Sequence, residues 1–110
     1  MPTFVKTEIS RAASDVLAER QRQVEVEGWS AAHDDGHSSG ELALAAAAYA
    51  QFAAKTDRQR AAGSLNRANW WPWSPDWWKP SDRRRDLVKA GALILAEIER
   101  LDRNSAEASR

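Results

Sequence analysis

The stretch NWWPWSPDWWKPSDRRRD, residues 69 to 86, sets five of the chain's six tryptophans beside Lys79 and three consecutive arginines, Arg83, Arg84 and Arg85. Indole faces stack on planar rings, a contact worth about 1–3 kcal/mol per base. Guanidinium groups grip phosphate in a bidentate fork. The arginines also fall at the expected start of a helix, where the positive dipole end disfavours cations, and Asp82 and Asp86 offset that cost only in part. Free backbone N–H groups, a positive helix end and guanidinium groups together make the chemistry of an anion site. Trp70, Trp71, Trp73, Trp77, Trp78, Lys79, Arg83, Arg84 and Arg85 are therefore candidate ligand-binding residues for a ring that carries phosphate. The competing reading makes the tryptophans core filler and pairs the arginines with carboxylates of the first helix, such as Glu19 or Glu25. Within each adjacent pair, Trp70–Trp71 and Trp77–Trp78, one ring is expected to pack inward while the other faces a cleft or a partner.

A second constellation, GWSAAHDDGHSSGEL, gathers His33, Asp34, Asp35 and His37, with Glu41 one turn into the next helix. Histidine nitrogens and carboxylate oxygens this close suit a divalent metal. Turn residues are equally expected between two helices, and Asp34 or Asp35 can instead cap a helix or pair with the arginines. Trp29, Asp34, Asp35 and His37 complete the candidate ligand-binding set; no catalytic or metal-binding residue is assigned. Glu25, Glu27, Glu97, Glu99 and Asp102 could hold Mg²⁺ together with substrate phosphates, or they are solvated helix faces. No Ser–His–Asp pattern, glycine-rich loop or Walker motif is present. The absence of cysteine removes disulfides, thiolate catalysis and cysteine-ligated zinc together.

These side chains require helices to hold them. Ile9, Ala12, Ala13, Val16, Leu17 and Val24 recur at helical spacing between about Glu8 and Glu27, and Gly28 then supplies a left-handed cap. Ser38 with Glu41 reads as a capping box, opening an alanine-rich helix with Leu42, Ala45, Tyr49 and Phe52 on one face. Ser81 is the expected N-cap of a third helix, with Leu87, Gly91, Ile94, Ile98 and Leu101 in one stripe that Val88 and Leu95 widen. The connection from Asp57 to Pro80 is long for a compact domain, and Arg58 to Arg67 is expected to form a short extra helix. The expected fold is all-α, a single three- to four-helix domain over residues 1–103 with a Trp-rich crossover and a frayed tail, 104–110.

The net charge of zero argues against bulk nucleic-acid binding. The N-terminal 50 residues carry 4 basic and 8 acidic side chains and the remainder 12 and 8, so the halves differ in sign. That asymmetry suits a homo-oligomer or an anion-binding half. No apolar run spans a membrane, and the N-terminus lacks signal-peptide architecture, so a cytoplasmic protein is expected.

The segments ERQRQVEVEGW, HDDGHSSGELALAAAAYA and WKPSDRRRDLVKAGALILAEIERLDR resemble a family of small helical proteins encoded by phages and prophages, over roughly residues 17–103. That resemblance implies a bacterial host cytoplasm and carries no chemistry with it. Gly28–Trp29, then Asp34–Asp35, then KPSDR, is similar to the layout of the RyR domain, which implies ligand sensing. The spacing Glu99–Asp102 resembles the second motif of MazG-like all-α NTP pyrophosphohydrolases; their Glu-Glu-x-x-Glu pattern is absent, with EVE at 25–27 nearest to it. The expected function is non-enzymatic binding of a nucleotide-like anion without a cofactor, in a phage setting a sponge for a nucleotide second messenger. The alternatives are a Mg²⁺-dependent NTP pyrophosphohydrolase and a module that binds a host protein through its tryptophans.

Overall fold

The helix-period patterns form helices, and no strand occurs among the described residues, 8–63 and 70–108 of the computed structural model. Five α-helices follow one another: α1 (Arg11–Glu25), α2 (Ala31–Asp35), α3 (Glu41–Ala53), α4 (Asp57–Gly63) and α5 (Arg83–Ala108), with one 3₁₀ turn at Pro75–Trp77. The sequence predicts three to four. The addition is α2, whose AAHDD reads as a turn but closes one helical turn because the Ser30 hydroxyl accepts from the His33 N–H. The expected helix over 58–67 is α4 as far as Gly63; the rest of it lies outside the described residues.

The caps explain where the elements start and stop. Ser10 caps α1 by accepting from Ala13 N–H, and Gly28 takes the left-handed conformation expected of it (φ 76°). Two expected caps move. The residue before α3 is Gly40 (φ 87°), not Ser38, while the Glu41 carboxylate accepts from Ser39 N–H. At α5, Asp82 rather than Ser81 accepts from Arg85 N–H, because Ser81 N–H is drawn to Asp86.

α3 packs along α5, and α1 and α2 pack on α5 as well. The predicted face of α3 is the core: Leu42, Ala45, Tyr49 and Phe52 are buried. The predicted stripe of α5 is not. Leu87, Ile94, Ile98 and Leu101 are each about half exposed, and α5 instead buries Val88, Ala90, Ala92, Leu93 and Ala96. Alanine faces alanine across α3 and α5, so the backbones close up and the larger aliphatics are left on the outside. α1 behaves likewise, burying Glu19, Arg20 and Gln23 while Leu17 and Val24 stay exposed. α1 and α5 approach tightly where Gly91 faces Val16; a Cβ there would lie 3.1 Å from Val16 Cγ2. Gly91→Leu should therefore cost about 1–3 kcal/mol by overpacking, read as a loss of urea-unfolding free energy. Gly91→Ala should cost far less, because alanine returns roughly 1 kcal/mol of helix propensity.

Candidate functional site

The crossover folds its indoles back onto α3. Trp71 and Trp78 are buried against Tyr49, with ring centroids 5.6 and 4.7 Å away, and Trp78 also meets Phe52 at 5.6 Å. Tyr49 Oη accepts from Lys79 N–H at 3.2 Å, which ties the end of the crossover to α3, and Trp71 Nε1 donates to Ser74 O at 2.9 Å within it. Trp73 then stands almost perpendicular to Trp71, 87° at 5.3 Å, and edge-on to Trp29 at 6.4 Å. His37 lies 5.1 Å from Trp73, and His33 stacks on Trp29 at 5.5 Å and 8°. These rings bound one side of a cavity of about 380 Å³, within the range of small-molecule sites. Trp29, His37, Tyr49, Trp71, Trp73 and Trp77 supply its aromatic wall, and Glu19, Arg22, Gln23, Glu27, Lys79 and Lys89 its polar wall.

The polar wall carries an excess of positive charge. Glu19 is held by Arg22 at 2.9 Å and by Arg85, and Arg22 also reaches Glu27 at 2.9 Å. Two ammonium groups, those of Lys79 and Lys89, make no ion pair among the described residues. Lys79 Nζ lies over the Trp77 ring at 5.7 Å; Lys89 Nζ lies over Tyr49 at 5.5 Å and donates to Lys79 O at 2.6 Å. Burial, with the nearby charges of Arg85 and Arg22, pushes the Lys89 pKa down, although Asp86 and Glu19 act the other way. An anion placed against Lys89 would offset that penalty. In the same walls Gln23 Oε1 and Trp73 Nε1 are buried without a hydrogen-bond partner among the described residues.

Burial alone would raise the Glu19 pKa, yet the hydrogen bonds and charges of Arg22 and Arg85 outweigh it and hold the pKa below the usual carboxylate value. A depressed folded-state pKa contributes stability that is present above the unfolded value, near 4.5, and lost as pH falls through the folded one. The melting temperature should thus hold from neutrality to about pH 5 and fall below it. Glu19→Gln should flatten that acid limb in a calorimetric pH series.

Six of the thirteen residues singled out in the sequence line this cavity: Trp29, His37, Trp71, Trp73, Trp77 and Lys79. Trp78 belongs to the core and Trp70 to the surface. The arginines turn elsewhere. Arg83 donates to Ala53 O at 2.8 Å, Lys55 O at 2.9 Å and Asp57; Arg84 pairs with Asp15 at 2.8 Å; Arg85 pairs with Glu19. α5 starts where α3 ends, so the negative end of α3 compensates the cations that the start of α5 disfavours. Asp34 is fully buried between Arg20 and His33, and Asp35 pairs with Arg103. The lining residues outside those thirteen are Glu19, Arg22, Gln23, Glu27, Tyr49, Ser74, Lys89 and Leu93. Three of them, Glu19, Arg22 and Gln23, share one stripe of α1 at steps of three and one, with Glu27 just past its end, and that polar stripe was the available signal.

Among the described residues no three His, Asp or Glu side chains converge as a metal site needs. Of the carboxylates that would bind Mg²⁺ in a pyrophosphohydrolase, Glu99 is held by Arg20, Glu27 by Arg22, Glu97 by Arg100 and Glu25 by Gln21, while Asp102 makes no ion pair among the described residues. No helix of the described residues is long and apolar enough to cross a membrane. No family model, curated protein or solved structure matches the chain.

Proposed function

We propose that this protein binds, without turning it over, a small planar ring that carries a negative charge, a nucleotide-like ligand. The observation that carries this reading is the placing of Lys79 and Lys89, ammonium groups free of carboxylate partners, at the edge of a cavity walled by mutually perpendicular indoles. The ring would slot against Trp73, Trp29 or Trp77 while the anion neutralises the two lysines. This moves the anion contact from the arginine run to the lysines. The phage likeness of the sequence motifs makes a nucleotide second messenger of host defence the first ligand class to test, with the protein acting as its sponge.

The test is mass spectrometry of small molecules released by heat from protein that has been incubated with a mixture of nucleotides and cyclic dinucleotides and desalted. An intact ligand recovered near one per cavity supports the reading. Monophosphates recovered from added triphosphates would replace it with pyrophosphohydrolysis, and no recovery at all would remove it.

The exposure of Trp70 (48%) and Trp77 (58%) favours a second reading, a protein-binding module with indole hot spots. Trp70 lies outside the cavity lining, so Trp70→Ala separates the two: ligand recovery is unchanged if the cavity is the functional site, whereas capture of a protein partner is lost if the tryptophans are its anchors.

A further inference from the structure

The apolar stripe on α5 faces away from the cavity. Leu87, Ile94, Ile98 and Leu101 are each 48–50% exposed and, with Gly91, follow steps of four and three, the spacing of a helix-pairing seam. Lys89 and Leu93, which line the cavity, lie on the other flank of the same helix. On α1, Leu17 and Val24 share a face by their seven-residue spacing and are 51% and 40% exposed, while Glu19 and Gln23 turn to the cavity. Because Val16 meets Gly91 between the two helices, Leu17 and Val24 continue the α5 stripe into a single aliphatic face.

We propose that this face packs against the same face of a second copy of the chain, α5 against α5 in antiparallel, with the two-fold axis near Ile94. Three features select a second copy. The stripe is self-complementary: about Ile94, Leu87 falls opposite Leu101 of the other copy. The charge also matches, since Arg84 lies toward the Leu87 end and Asp102 toward the Leu101 end, so antiparallel pairing brings a basic side chain near an acidic one at each end of the seam. Asp102 is exposed and has no ion-pair partner among the described residues, and it would share the second copy's Arg84, which is 47% exposed and also holds Asp15. Finally, six half-exposed aliphatic side chains amount to roughly 500 Å² per chain, on the order of 1,000 Å² for the pair, which reaches the lower bound of a specific interface. The two cavities then open away from the axis, so each binds on its own.

The cysteine-free sequence gives a direct test. Ile94→Cys brings two thiols together at the axis, and on mild oxidation the full-length chain should convert to a disulfide-linked dimer. Ala50→Cys, exposed on α3, should remain mostly monomeric on the same gel. Sedimentation equilibrium of the unmodified chain at micromolar concentration should give a dimer mass, and Ile94→Arg with Ile98→Arg a monomer of unchanged helicity. A wild-type monomer, equal cross-linking of the two cysteine variants, or a dimer mass insensitive to the double arginine variant would each overturn the proposal. Ligand recovery from the monomeric variant reports on the cavity separately, so either idea can fail alone.

Discussion

Asp34→Ala should remove about 3–5 kcal/mol of folding free energy, the cost of leaving a buried charge without its partner. Asp34 has no exposed surface, and its two oxygens take Arg20 Nη2 and His33 Nδ1, each at 2.9 Å. Without it Arg20, itself buried, keeps only Glu99, a carboxylate nearly half open to water. Against a typical total of about 5–15 kcal/mol this is a large fraction, and urea unfolding followed by far-UV circular dichroism measures it directly. The paired change Arg20→Met with Asp34→Leu should recover much of the loss, since a well-packed apolar pair commonly matches a buried ion pair. A loss under about 1 kcal/mol for Asp34→Ala would mean that Arg20 regains water, and that the α1–α2–α5 junction is not closed as described.

The second large effect is on ligand binding. Charge-assisted hydrogen bonds contribute about 1.5–3 kcal/mol each, so Lys89→Met should weaken binding of whichever nucleotide is recovered by roughly 10- to 100-fold. Lys79→Glu with Lys89→Glu should bring it below detection in isothermal titration calorimetry, since both ammonium groups become repulsive. Arg84→Ala should leave affinity within about twofold, because Arg84 is tied to Asp15 away from the cavity. The opposite ranking, a large effect at Arg84 and none at the lysines, would return the anion to the start of α5.

Local pattern recovers what local physics decides. The buried face of α3, the left-handed Gly28 and the all-helical class follow from spacing and cap chemistry, and all are present. The α5 stripe misleads because spacing reports which residues share a face, not whether that face is covered. Here α1 meets α5 through Val16, Glu19 and Arg20 and leaves Leu17 and Val24 exposed. The fates of the arginines were legible only as the competing reading, which pairs them with first-helix carboxylates such as Glu19, the partner Arg85 takes. Arg83 bonds a carbonyl 30 residues back and Arg85 a carboxylate 66 residues back, pairings set by how the helices cross. The tryptophans divide as adjacent pairs must, with Trp71 and Trp78 inward and Trp70 and Trp77 outward.

The edge-to-face stacking of Trp71 on Trp73 and Trp78, at 5.3 and 5.0 Å, has an optical consequence. Transition dipoles this close and this steeply inclined exchange excitation, so the cluster should absorb and emit as a coupled set. Its near-ultraviolet circular dichroism should carry a paired positive and negative band that isolated indoles lack. Trp73 is a member of that set that also lines the cavity, so Trp73→Phe should weaken the doublet, leaving the Trp71–Trp78 contribution, while the helical signal stays.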